Sequence, residues 1–319
     1  MKTLFIDRKN SLITVDRNRI RITTDGAKSA FSIPTCNVEM LVISAQVQFT
    51  STLLTKLTQE GITAVFLNPR QTCSNTMTLG MMHNDAKRRL RQYKIVCDDK
   101  LKLQYSTQIV AEKLRCQRSM LLHALKLRPD CRFILLKSIA SLAESRNKSS
   151  HCSSLSSLRG IEGSAAAAYF SGYQTLFPAS LHFIGRNRRP PQDPVNVILS
   201  LTYSMLHAEA VRVLFSMGFD PFLGVYHEPT FGRESLACDL IELFRPLADR
   251  WIWRLFADGT LTSSYFSQLN SNQKQSCLLD KSGRKIYYAA YATEVHVWRQ
   301  LIRRVCRHWM IRLKTKEDL

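Results

Sequence analysis

Through the first 80 residues the apolar positions come in short alternating bursts, at 3–6, 12–15, 19–22 and 31–33, parted by polar turns at 7–10 and 24–26. Alternation with a period of two predicts half-buried strands. Residues 40–43 and 63–67 are unbroken apolar runs of buried-strand length, and between them 51–60 predicts a helix that Gly61 stops. From about His83 the period becomes helical. Asn84 and Asp85 can cap a helix starting at Ala86, and helical spacing continues to Glu144 with a break near Arg128 and Pro129. Residues 145–157 hold seven serines in thirteen positions and read as a flexible connector. Helical spacing returns over 158–173, 194–217, 235–256 and from 287 to the end, whereas 258–285 is polar and reads as irregular, with a turn at Ser282 and Gly283. The expected fold is α+β, mostly α, with a small β-rich N-terminal domain at 1–82 and an all-helical domain at 83–319.

Composition adds a partner to this picture. The chain has 319 residues, 45% hydrophobic and 22% charged, values of a globular protein long enough for two domains. Its 45 Lys and Arg against 25 Asp and Glu leave +20, which points to a polyanion, DNA or RNA first. Residues 86–148 hold sixteen of the cations and only five acids, so over half of the excess sits on one segment and favours a binding face. Nine cysteines without a CxxC pair indicate neither a disulfide framework nor a zinc ribbon, and each reads as a small apolar side chain. MKTLFIDRKN lacks a signal-peptide core, and no run approaches the ~18 apolar residues of a membrane span. The expectation is a reduced, soluble, cytoplasmic protein with no membrane partner.

Four side chains could carry metal chemistry. Glu162 stands in LRGIEGSAAAAYF, whose small residues let helices approach closely. A lone carboxylate at such a seam is costly unless it is paired or bound to a cation, and a pair with Arg159 is the plainer alternative. Asp239 and Glu242, in SLACDLIELFRPLADR, lie three apart on one helical face beside Leu236, Leu240 and Leu243, with Ser235 as the expected cap. His227 comes twelve residues before Asp239, in a segment whose Gly224 and Gly232 can loop it back onto that helix. Carboxylates with one imidazole suit a hard divalent ion beside a phosphate. The chain has no GxxxxGK[ST], GxGxxG, HExxH or GxSxG pattern, and no serine or cysteine has a nucleophile's local signature. His83, His123, His182, His207, His296 and His308 lack ligand spacing and read as structural or DNA-facing.

The chain resembles the CRISPR-associated integrase family Cas-one, which inserts new spacers into CRISPR arrays. The resemblance is carried, in order and over essentially the full length, by IDRKNSLITV, LGMMHNDAKRRLRQY at 79–93, LRGIEGSAAAAYF at 158–170, RRPPQDPVNVILSLTYSMLHAEA at 188–210, GFDPFLGVYHEP at 218–229 and SLACDLIELFRPLADR at 235–250. It implies that Glu162, His227 and an acid of the last segment coordinate Mg²⁺ or Mn²⁺. Glu242 stands where the family's final acid is Asp in some branches and Glu in others; Asp239 is either a direct ligand or lies behind one. Glu234 replaces a proline found in many relatives and adds an acid near the site. The resemblance also implies a dimerising N-terminal domain, a catalytic helical domain, two homodimers bridged by a dimer of the small partner Cas-two, and in some relatives an associated reverse transcriptase.

The implied reaction is transesterification: a 3′-hydroxyl of incoming DNA attacks a phosphodiester at the edge of a CRISPR repeat, once per strand, with no protein nucleophile. Glu162, His227 and Glu242 are the expected catalytic set. Lys87, Arg88, Arg89 and Arg91, with Arg186, Arg188 and Arg189, are expected to hold DNA backbone. Two other readings remain open. One is a metal-dependent endonuclease on branched or single-stranded DNA, with water as nucleophile; the other is a catalytically silent nucleic-acid-binding subunit.

Overall fold

The computed structural model describes residues 2–24, 30–67, 76–80, 83, 85–187, 190–271 and 274–312. Strands come first: β1 (Lys2–Ile6), β2 (Ser11–Asp16), β3 (Arg19–Thr24), β4 (Phe31–Pro34), β5 (Val38–Ile43) and β6 (Val47–Phe49), then helix α1 (Ser51–Gln59) and strands β7 (Thr63–Phe66) and β8 (Thr76–Thr78). They form two four-stranded sheets, ordered β1-β5-β7-β8 and β4-β3-β2-β6. The first has a parallel core of β1, β5 and β7, as expected for β5, which is buried along its whole length. Because side chains alternate along a strand, Leu41 and Ile43 pack with Leu53 and Leu57 of α1, while Met40 and Val42 enter the helical core.

The helices follow as α2 (Ala86–Cys97), α3 (Asp99–Leu127), α4 (Arg132–Ser149), α5 (Leu155–Gln174), α6 (Pro194–Ser216), α7 (Ser235–Glu242) and α8 (Arg245–Ala257). After a hairpin of β9 (Phe266–Ser271) and β10 (Lys274–Leu279), α9 (Lys281–Arg312) closes the described chain. By length and composition α6 alone among the described helices could cross a membrane, but 72% of its apolar window is buried and it carries Glu209 and Arg212 inside the fold. Glu39 of β5 ties the sheet to the helices through Arg212 at 2.8 Å, Arg299 at 3.2 Å and Arg303 at 2.7 Å. Phe5 of β1 stacks on Tyr288 of α9 with ring centroids 4.3 Å apart.

The α+β, mostly helical reading matches this architecture, with four corrections. The C-terminal part is not all-helical: the stretch expected to be irregular holds the β9–β10 hairpin. Its Ser-, Gln- and Asn-rich sequence hides the pattern, while Cys277 and Leu279 face the core and the Cys277 amide bonds the Pro191 carbonyl at 2.8 Å. The serine connector is mostly helix. Ser145 and Ser149 are buried in α4, whose last turn satisfies the Ser149 hydroxyl on the Arg146 carbonyl at 2.7 Å. The expected helix at 235–256 breaks at Leu243 and Phe244, because Pro246 has no amide to continue it and instead starts α8. Ser282 and Gly283 form no separate turn. They open α9, where Asp280 accepts from the Gly283 amide at 2.6 Å.

Candidate active site

Three elements bring the sequence's acids together. Ser154 caps α5 by accepting from the Ser157 amide at 3.2 Å, and Glu162 follows two turns in, facing α3. On α7, Glu242 is 3% exposed and Asp239 fully buried. The loop 218–234 then carries His227 over α7. Gly224 permits the crossing: a side chain there would sit 2.6 Å from the His227 carbonyl oxygen and 2.7 Å from Ser235. Gln92 of α2 clamps the same loop, donating to the carbonyls of Asp220 at 2.8 Å and Leu223 at 3.1 Å and accepting from the Asp220 amide at 3.0 Å. Ser235 is not the cap of α7; Glu234 holds that position without a side-chain bond, and the Ser235 hydroxyl instead ties down the Glu228 carbonyl at 2.9 Å.

Asp239 spends both oxygens on the loop. Oδ2 accepts from the amides of Val225 at 2.7 Å and Tyr226 at 3.1 Å, and Oδ1 accepts from the His227 amide at 2.8 Å and lies 2.7 Å from His227 Nδ1. A carboxylate on Nδ1 fixes the ring and leaves Nε2 as the atom with a free lone pair. Asp239 therefore orients His227 from behind, and Glu242 is the α7 acid that reaches the cavity.

Glu162 and Glu242 flank a cavity of about 570 Å³ that Tyr226, His227, Arg159 and Arg233 also line. The Lys113 ammonium of α3 sits between the two carboxylates, hydrogen-bonded to Glu162 Oε1 and 2.5 Å from Glu242 Oε2. Arg245 holds the other Glu242 oxygen at 2.7 Å and lies 4.9 Å from the Tyr203 ring centroid. Burial pushes the Glu242 carboxyl up, but the charges of Arg245 and Lys113 outweigh it and hold the group at about 2, ionised. Burial and the charges of Glu162 and Glu242 push the Tyr226 phenol well up, so it stays a donor, 3.4 Å from Glu162 Oε2.

The donor set suits a hard divalent ion: two carboxylates from different helices and an imidazole nitrogen at one cavity wall. One buried oxygen, Glu242 Oε2, has the Lys113 ammonium 2.5 Å away as its partner, so a cation already occupies the position an ion would take. Among the described residues no three such side chains already have their donor atoms gathered closely enough to hold an ion, and Lys113 stands between two of them. The alternative pair of Glu162 with Arg159 does not form; Arg159 turns to Glu228 at 2.9 Å.

The expected DNA-contact residues divide. Lys87 is exposed on α2. Arg88 is not held out to a phosphate: it pairs with Asp85 at 2.8 Å and donates to the Met217 carbonyl, pinning α2 to the end of α6. Arg89 and Arg91 are half-buried and already engaged. Arg186 reaches the cavity wall, donating to Asn196 Oδ1 at 2.8 Å and Ser200 Oγ at 3.0 Å, and lies 5.7 Å from the Tyr203 ring centroid. Arg188 and Arg189 lie outside the described residues. Sequence reasoning missed Lys113, Gln117 and Arg245. The first two were signalled: they interrupt the buried stripe of Val110, Leu114, Leu121 and Ala124 on α3.

A family model described as CRISPR associated protein Cas1 matches residues 4–293. A CRISPR-associated endonuclease Cas1 of Thermodesulfovibrio yellowstonii is 36% identical over 326 residues, covering 100% of this chain and 99% of the relative. Among solved structures, a CAS1 protein from Thermotoga maritima superposes with a TM-score of 0.85 at 22% identity, over 98% of this chain and 97% of its own. A casposase bound to integration product superposes at 0.79 with 20% identity, over 92% and 82%. Both share the fold.

Proposed function

The chain belongs to the CRISPR-associated Cas1 family of endonucleases and integrases, and from that premise we propose that it is a metal-dependent DNA integrase that joins 3′-hydroxyl ends to a CRISPR repeat by transesterification. The observation that carries the reading is the convergence of Glu162, Glu242 and His227 on one cavity rimmed by Arg159 and Arg233. Glu162, Glu242 and His227 Nε2 would hold the ion. Mg²⁺ or Mn²⁺ bound there supplies Lewis-acid polarisation of a phosphoryl oxygen and offsets charge on the leaving oxygen. Everything else falls to the chain. Asp239 keeps the His227 ring aimed, Arg245 keeps Glu242 ionised, and the Tyr226 hydroxyl steadies Glu162. Arg233, and Arg159 once it exchanges Glu228 for a phosphate, would receive backbone phosphates and keep the scissile phosphodiester against the carboxylate wall.

In the joining step the incoming 3′-oxygen forms a bond to phosphorus as the 3′-oxygen of the nucleotide flanking the repeat leaves, and the hydroxyl proton lost by the one is regained by the other. One phosphodiester replaces another, so no external energy source or protein nucleophile is required. The casposase of the same fold that was captured with an integration product supports integration over simple cleavage. On this reading the partners are spacer-precursor and repeat DNA, a second copy of this chain, and a Cas2 dimer bridging two such pairs, in the cytoplasm. The test is covalent joining of a duplex bearing free 3′-hydroxyls to a repeat-bearing target. Cleavage without joining, unaffected by blocking the 3′ end, favours the endonuclease reading instead.

A further inference from the structure

Lys113 is 8% exposed on the buried stripe of α3, and both of its near neighbours are the carboxylates expected to hold metal. Lysine is seldom buried unless paired, and its ammonium rides a flexible stem with three rotatable donors. The other cation at Glu242, Arg245, is braced beside the Tyr203 ring, whereas Lys113 is held only through the two carboxylates at the end of its flexible stem, so Lys113 is the one free to move. One helical turn further along the same face stands Gln117, 4% exposed and lining the same cavity, with an Oε1 that has no hydrogen-bond partner. The two carboxylates, the ammonium and the Arg245 guanidinium sum to zero charge. Even with the Asp239 carboxylate behind His227 counted, a divalent ion placed beside an unmoved ammonium would leave a net positive charge in the site, which low-dielectric surroundings oppose.

We propose that Lys113 is a resident counter-cation of the carboxylate pair, holding Glu162 and Glu242 together until a divalent ion enters and then moving one turn along α3 onto Gln117 Oε1. The inference rests on the metal-dependent reading above. It makes the lysine a positioning residue and a competitor for the ion, and so sets the metal concentration at which the site loads.

The experiment is calorimetric titration of Mn²⁺ into wild type, Lys113→Met, Lys113→Arg, Gln117→Leu and Glu162→Gln, with melting curves in EDTA and in Mn²⁺. Lys113→Met removes the competitor and is expected to bind Mn²⁺ at least tenfold tighter, to melt lower in EDTA, and to be restored by Mn²⁺. Lys113→Arg puts a planar fork across both carboxylates, and Gln117→Leu removes the landing site; each is expected to weaken Mn²⁺ binding several-fold. A lysine that only maintains structure would weaken binding in both Lys113 variants, so Lys113→Met binding no tighter than wild type overturns the proposal. Equal Mn²⁺ binding by wild type and Glu162→Gln is a separate outcome that overturns the metal site and this inference together.

Discussion

Replacing Asp239 by Asn separates an orienting carboxylate from a ligand. Each Asp239 oxygen serves two donors: Val225 and Tyr226 amides on one, the His227 amide and Nδ1 on the other. An amide has one acceptor oxygen, so whichever way it turns, its NH₂ confronts two donors in a site with no solvent exposure at Asp239. A buried donor left unsatisfied costs about 1–3 kcal/mol, giving about 2–6 kcal/mol for the pair. Native proteins have only about 5–15 kcal/mol in total, so the loss is a large share. At roughly 2 °C per kcal/mol for a chain of this length, the metal-free melting temperature should fall by about 4–12 °C. The assay is calorimetric melting in EDTA, with a ¹⁵N-histidine spectrum to follow the His227 tautomer. Were Asp239 chiefly a ligand, its substitution would matter only with metal present. A metal-free Asp239→Asn protein melting within about 1 °C of wild type, with His227 unmoved, would therefore refute the reasoning.

Two further predictions concern buried charges, one lining the cavity and one joining the sheet to the helices. Burial pushes the Asp249 carboxyl up to about 6, against hydrogen bonds from Tyr203 and Tyr169 and the charge of Arg245 that pull it down. The raised folded value means that its proton-linked stability is full below ~3.9 and is lost as pH rises through the folded value, by about 3 kcal/mol at pH 7. The melting temperature of Asp249→Asn relative to wild type should climb between pH 4 and 7, and a flat difference would count against the shift. Burial likewise raises the Glu39 carboxyl, but Arg212, Arg299 and Arg303 outweigh it and leave it below its ordinary value. Glu39→Gln leaves Arg212 and Arg299 to Glu209 alone and Arg303 without its carboxylate, and should cost about 1–3 kcal/mol at neutral pH. That gap should narrow in melts taken as the pH falls below ~4.3 and through the lower folded value; a gap unchanged down to pH 3 would contradict it.

Period-two spacing was enough to place β1 to β4 and helical spacing the approximate helices, because each buries one regular face, while unbroken apolar runs placed β5 and β7, which are buried on both. They failed where polar composition masks pairing, as in the β9–β10 hairpin, and where serines serve the inside of a helix, as Ser145 and Ser149 do in α4. Glu162, His227 and Glu242 could be singled out because acids and a histidine are unusual in such apolar surroundings. The division of labour between Asp239 and Glu242 could not, since both lie on one face and only the path of loop 218–234 decides which oxygen meets the cavity. Lys113 is one of sixteen cations in residues 86–148, and although its place on the apolar stripe of α3 marks it as buried, the stripe does not say what it pairs with. Its partners are 49 residues away on α5 and further still on α7, contacts that only the packed fold reveals.

The central claim is that Glu162, Glu242 and His227 form one centre that joins DNA ends. The most direct measurement is single-turnover joining of a 3′-hydroxyl duplex to a repeat-bearing target in Mn²⁺, with Cas2 present, for wild type, Glu162→Gln, His227→Ala and Glu242→Gln. DNA binding and melting are checked for each protein, and a 3′-dideoxy duplex serves as control. The account predicts joining by wild type alone, at least a hundredfold loss in every variant despite retained DNA binding, and no joining from the dideoxy end. Joining that survives in any variant that still folds and binds DNA would contradict it.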